Sequence, residues 1–160
     1  MSIDRGDSHV GDAGTWNRAC RHIGLFLWWA AARGLASDEV DAKAIAKAPT
    51  KYFISHCDTK LWDEDFTTEG RAFAAAEYDA YLHAVAAYAR ALGVGDYEIR
   101  ESKRTTKHFF DALDKRLAAF RAKPAKKSAR KPKSKKPAKP KKTRAKPKPK
   151  PKKKPKSRVK

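Results

Sequence analysis

Apolar residues recur with a helical period over the first 122 positions, and the pattern stops there. Ile23, Phe26, Leu27, Ala30 and Ala31 share one helix face, at spacings of three and four. His22, Leu25, Trp29 and Ala32 form a second apolar face on the same segment. A helix apolar on both sides belongs at the centre of its domain. It is predicted to begin near Trp16 and to stop at Gly34, a residue suited to a left-handed C-terminus.

Ser37, with Asp38 and Glu39 behind it, predicts the start of a short Ala-rich helix that ends at Lys47 ahead of Pro49. Thr50 is expected to cap another short helix carrying Tyr52, Phe53 and Cys57. Residues 58–68 read as a connector with an acidic knot, Asp63-Glu64-Asp65. Thr67 or Thr68 opens the longest helix, with Ala74, Tyr78, Tyr81, Val85, Tyr88 and Leu92 on its inner face and Gly93 and Gly95 beyond it. Tyr97–Ile99 reads as a short extended piece. A last helix starts at Thr105 or Thr106 and turns Phe109, Phe110, Leu113, Leu117 and Phe120 inward. The fold class predicted is all-α: an irregular bundle of about five helices. Residues 1–15, polar and holding Gly6, Gly11 and Gly14, read as a flexible N-terminal arm. The helical domain is then 16–122, and 123–160 is a disordered Lys/Pro-rich tail.

Charge sharpens that division. The chain has 160 residues and a formal net charge of +20, but 21 of its 38 Lys and Arg lie from Lys123 on, with none of its 18 acids. The remaining 17 bases and 18 acids leave the helical part at −1. Eight of the nine prolines also fall in the tail. Proline blocks helix, like charges repel, and there is almost no apolar surface to offset the entropy of ordering. Fully extended at about 3.1 Å per residue, the tail would reach roughly 120 Å.

Such a chain is expected to bind DNA or RNA through counterion release, with strong salt dependence and little regard for sequence. Lys126, Lys127, Arg130, Lys131, Lys133, Lys135, Lys136, Lys139, Lys141, Lys142, Arg144, Lys146, Lys148, Lys150, Lys152, Lys153, Lys154, Lys156 and Arg158 are expected to act as interchangeable phosphate neutralisers. No aromatic residue interleaves them for base stacking. In composition the tail resembles the Lys/Pro/Ala-rich tails of linker histones and bacterial histone-like proteins.

The helical part offers little chemistry. Cys20, His22, His56 and Cys57 are metal-ligand types, but Cys-x-His and His-Cys are not zinc-site spacings. The two cysteines are expected to be reduced, packed thiols. The acids from Asp63 to Glu69 lack the turn glycine of an EF-hand loop and suit a helix start. No phosphate-cradling glycine loop is present, so neither cofactor nor metal is expected. The longest apolar run, residues 23–32, is about half of the roughly 20 residues needed to span a bilayer. The start has acids where a signal peptide needs bases, so a cytoplasmic, nucleoid-associated protein is expected.

Three stretches carry a family resemblance. His22-Ile23-Gly24-Leu25-Phe26-Leu27-Trp28-Trp29, followed by Arg33-Gly34-Leu35, resembles the His-Ile-Gly-x-Phe-Leu-x-Trp opening of an uncharacterised bacterial domain family. Cys57-Asp58-Thr59-Lys60-Leu61, Glu64-Asp65-Phe66 and Glu69-Gly70 with Phe73 resemble its next signature, and Asp114 to Leu117 resemble its closing helix. The resemblance covers residues 16–121. It implies a small helical domain of unknown function and no catalytic residues.

Three readings follow. In the first, a non-enzymatic helical domain binds an unidentified protein partner and the tail tethers it to nucleic acid. In the second, an immunity or regulatory protein occludes a protein target and the tail is incidental. In the third, an enzyme works through Cys57 or the acids from Asp63 to Glu69.

Overall fold

A computed structural model describes residues 1–122. The expectations for the tail lie outside the described residues. These contain seven α-helices and one two-stranded antiparallel ribbon, so the all-α reading holds with a small β addition.

The central helix is α3 (Arg21–Ala32), in which eight of twelve residues are buried. It follows α1 (Val10–Ala13) and α2 (Trp16–Ala19), separated by Gly14 in the left-handed region at φ 74°. Thr15 caps α2 by accepting from the Arg18 amide. Against α3 pack α4 (Ala42–Lys47), α5 (Pro49–His56), the 25-residue α6 (Thr68–Leu92) and α7 (Lys103–Ala122). One buried core results. Phe26 sits in it among the rings of Trp29, Phe66, Phe73, Tyr78 and Tyr81, with centroids 4.8–6.5 Å away. Such offset and edge contacts add to the stabilisation from burial.

Two glycines of the recognised stretches mark close approaches. A Cβ on Gly24 would lie 2.8 Å from the carbonyl oxygen of Pro49, so α3 and α5 meet backbone to backbone there. A Cβ on Gly70 would lie 2.0 Å from the oxygen of Leu35. That oxygen accepts from the amide and the hydroxyl of Thr67, the N-cap of α6.

The N-terminal segment departs from expectation. It is not a loose arm. Strand β1 (Ser2–Arg5) pairs with β2 (Lys60–Trp62), which occupies part of the expected connector. A 3-10 turn, Gly6–Ser8, then leads into α1. The local sequence carries no long apolar alternation, so pairing partners 55 or more residues apart could not be read from it.

Smaller corrections have local causes. Ser37 does not cap a helix; Asp41 does, accepting from the amides of Lys43 and Ala44, and α4 begins four residues later than Ser37 would place it. Ala48 stands at the N-cap of α5 with Pro49 at its first position, and the Thr50 hydroxyl instead bonds Glu101. Leu92 is exposed at the last position of α6. Tyr97–Ile99 forms no strand; the carbonyls of Tyr97 and Ile99 accept from the Arg21 guanidinium. Helix α7 begins at Lys103, two residues early, with the Ser102 hydroxyl accepting from the Thr105 amide.

Candidate functional site

The ribbon carries polar chemistry to the N-terminal end of α3. Between Ser2 and Asp4 the register of β1 shifts. Ile3 packs on the core and the Asp4 side chain is only 9 % exposed, so consecutive residues turn inward where a regular strand would alternate them. His9 stands at the N-cap of α1, and His22 is the second residue of α3. Tyr78 comes from α6, and Tyr97 from the loop after it.

These five side chains form one network. Oδ1 of Asp4 lies 2.7 Å from Nε2 of His9. Nδ1 of His9 lies 3.0 Å from the Tyr97 hydroxyl. The Tyr78 hydroxyl donates to Oδ2 of Asp4 at 2.6 Å. Nε2 of His22 is 3.4 Å from the same Oδ2, is buried, and lacks a hydrogen-bond partner. The two imidazoles meet edge to face at 4.9 Å. Below them, the Tyr81 hydroxyl donates to the carbonyl of His22, which fixes α6 against the start of α3.

Burial opposes charge on Asp4, but the contacts from His22, His9 and Tyr78 outweigh it and hold the carboxyl well below the usual carboxylate range. The hydrogen bond to Asp4 raises the His9 pKa. Burial lowers that of His22 despite the nearby carboxylate. Two similar rings therefore differ: one shares a proton with the carboxylate, and the other favours the neutral form. A groove lined by Asp79, His83, Val85, Asp96 and Tyr97 reaches His9 and His22 from the surface.

The residues singled out from sequence fall elsewhere. Both cysteines are free. Burial pushes the Cys20 thiol up to about 11 and the Cys57 thiol up to about 12, so both stay protonated at neutral pH. His56 is exposed and stacks on Tyr52 at 4.4 Å. Asp63, Asp65 and Glu69 have separate partners. Asp63 pairs with the Met1 amino group and Arg71, Asp65 accepts from the Trp62 amide, and Glu69 pairs with Arg121. The basic residues from Lys126 to Arg158 lie outside the described residues. Of the residues now brought together, His22 was visible as a ligand type. Asp4 and His9 were hidden because only the ribbon pairing brings them to it.

The fold is a small helical domain closed at one end by a β-ribbon and a buried Asp–His–Tyr cluster. Its match is to a family: the chain belongs to that described as Domain of unknown function (DUF7832), whose model covers residues 3–102. The match starts within β1, so the N-terminal segment and the whole cluster fall inside the family domain, whereas α7 and the basic segment fall beyond it. No curated protein and no solved structure matches the chain. No helix among the described residues is long and apolar enough to cross a membrane.

Proposed function

We propose that the protein is a non-enzymatic tether, in which the segment from Lys123 holds a helical protein-interaction domain on DNA or RNA. The observation that carries this reading is the segregation of charge: 21 bases and no acid from Lys123 on, against 17 bases and 18 acids before it. Selection for a uniformly basic, nucleic-acid-binding domain would have spread the lysines over the fold. Here the whole excess sits in a stretch rich in proline, suited to follow a phosphate backbone by charge alone. In a cell such a protein would sit with the nucleoid.

The non-enzymatic part of the reading is supported by the state of the groups an enzyme would use. The thiols of Cys20 and Cys57 are held protonated, which disfavours nucleophilic attack. Asp63, Asp65 and Glu69 are dispersed among separate partners rather than converging on one space.

The test is a titration of fluorescent random-sequence duplex and single strands with the full chain and with residues 1–122. The full chain is expected to bind both, with affinity falling about 10³-fold or more between 50 and 200 mM salt. The shortened chain should lose retention while keeping its melting temperature. Equal retention without the segment would overturn the tether. A lysate pull-down with the shortened chain at high salt then identifies partners of the helical domain free of charge-driven background.

A further inference from the structure

We propose that Asp4, His9 and His22 form a binding site for one first-row divalent transition-metal ion of the Zn²⁺ class. Each residue offers one ligand atom, and the three atoms lie within 4.8 Å of one another. Two imidazoles and one carboxylate are a donor set that suits Zn²⁺, Co²⁺ or Fe²⁺; Ca²⁺ and Mg²⁺ prefer oxygen donors throughout.

The independent observation is Nε2 of His22. The residue is 9 % exposed, and this nitrogen has no hydrogen-bond partner although it lies 3.4 Å from the Asp4 carboxylate. A buried polar atom without a partner costs free energy, and such atoms are uncommon in folded proteins. A metal ion beside it would supply the missing partner. The surroundings are those of a supported site. Nδ1 of His9 meets the Tyr97 hydroxyl at 3.0 Å, which leaves Nε2 to face Asp4, and Tyr78 orients the carboxylate by donating to Oδ2 at 2.6 Å. Hydrogen bonds of this kind set ring orientation and tautomer at metal centres. A tyrosine hydroxyl can donate or accept, so Tyr97 serves His9 in either tautomer. Without metal, the His9–Asp4 bond holds a proton between Nε2 and Oδ1. With metal on Nε2, a neutral His9 ring carries its proton on Nδ1, where the Tyr97 oxygen accepts it, and a protonated ring gives its second proton up to solvent. The groove bearing Asp79, His83 and Asp96 reaches His9 and His22 and would admit water or a further ligand to the metal.

The test uses the full chain. Titration with Co²⁺ is expected to give saturable visible d–d bands at one equivalent, without a thiolate charge-transfer band, and Zn²⁺ should displace the Co²⁺. Calorimetry should show Zn²⁺ binding that saturates at one equivalent per chain. His9→Ala should abolish the bands while circular dichroism stays native. Tyr97→Phe should keep the spectrum and weaken binding about 10-fold. Should His9→Ala not fold, histidine ring NMR of the unaltered protein decides: one equivalent of Zn²⁺ should move the His9 and His22 signals and leave His56 and His108 in place. Absence of saturable Co²⁺ binding, a thiolate band, full binding by a folded His9→Ala protein, or a first response at His56 or His108 would overturn the site.

Discussion

Phe26 and His22 lie one turn apart on α3, yet they belong to different kinds of interior. Around Phe26 five aromatic rings close from α3, α6 and the stretch ahead of α6, and the contacts need no particular protonation or polarity. Around His22 the neighbours are Asp4, His9, Tyr78 and Tyr97, each fixed by a directional contact. The aromatic region carries the stability of the fold. The polar region spends some of it: a buried carboxylate and an imidazole nitrogen without a hydrogen-bond partner are costly where an apolar residue would not be.

The largest effect is expected from Phe26→Ala, which removes the ring shared by five others and leaves a cavity in the core. It should destabilise by about 4 kcal/mol, read by urea denaturation. Gly24→Ala adds a single methyl group to the opposite face of the helix, 2.8 Å from the Pro49 oxygen. Backbone lies on both sides of that contact, so the helices must separate, at about 2 kcal/mol. A loss below about 0.5 kcal/mol would mean that α3 and α5 are less closely packed than described.

Tyr78→Phe and Tyr81→Phe sharpen the contrast between the two regions. Both hydroxyls belong to buried residues of α6, one donating to the Asp4 carboxylate at 2.6 Å and the other to the His22 carbonyl at 2.8 Å. Hydrogen bonds to charged acceptors are the stronger class. Tyr78→Phe should therefore cost about 2 kcal/mol and Tyr81→Phe about 1 kcal/mol by thermal or urea melting. Equal losses would mean that Asp4 is neutral in the folded protein.

The two regions also differ in how far the sequence discloses them. The aromatic one follows from periodicity: Phe26, Tyr78, Tyr81, Phe109, Leu113 and Leu117 are buried where the helical spacing puts them. Thr67, Gly34 and Gly93 act as the expected boundary residues, because capping and left-handed stops depend on local chemistry. The polar region is assembled from positions 4, 9, 22, 78 and 97, and no local pattern links them. Its key step is a register shift in a four-residue strand that pairs across more than fifty residues. Sequence reasoning could identify His22 as a possible ligand. It could not supply the carboxylate, because Asp4 lies in a stretch whose composition suits a loose arm. The family match, which begins at residue 3, agrees with the ribbon in joining that stretch to the domain.

The smallest effect is expected at the other end of α3, where a carboxylate is again bound by several donors but in a wetter setting. Asp114 on α7 accepts from the Trp29 indole at 2.9 Å and from two guanidinium nitrogens of Arg33 at 2.6 and 2.8 Å, and its side chain is 39 % exposed. The Arg33 hydrogen bond is the main cause of its lowered pKa. A carboxyl lowered on folding adds stability above its unfolded value, near 3.8, and loses it as the pH falls through the folded value. Solvent screens the pair, so Asp114→Asn, which keeps an acceptor for Trp29, should cost less than about 1 kcal/mol at pH 7. The difference from the unaltered protein should shrink further as the pH drops below 3.8, because protonation removes the same charge from Asp114. Melting curves of both proteins from pH 7 down to 2.5 would show it. Curves that stay parallel to the lowest pH would mean that the charge on Asp114 is not what joins α7 to α3, and would leave the Trp29 hydrogen bond and the packing of Phe110 on Trp28 to hold that end.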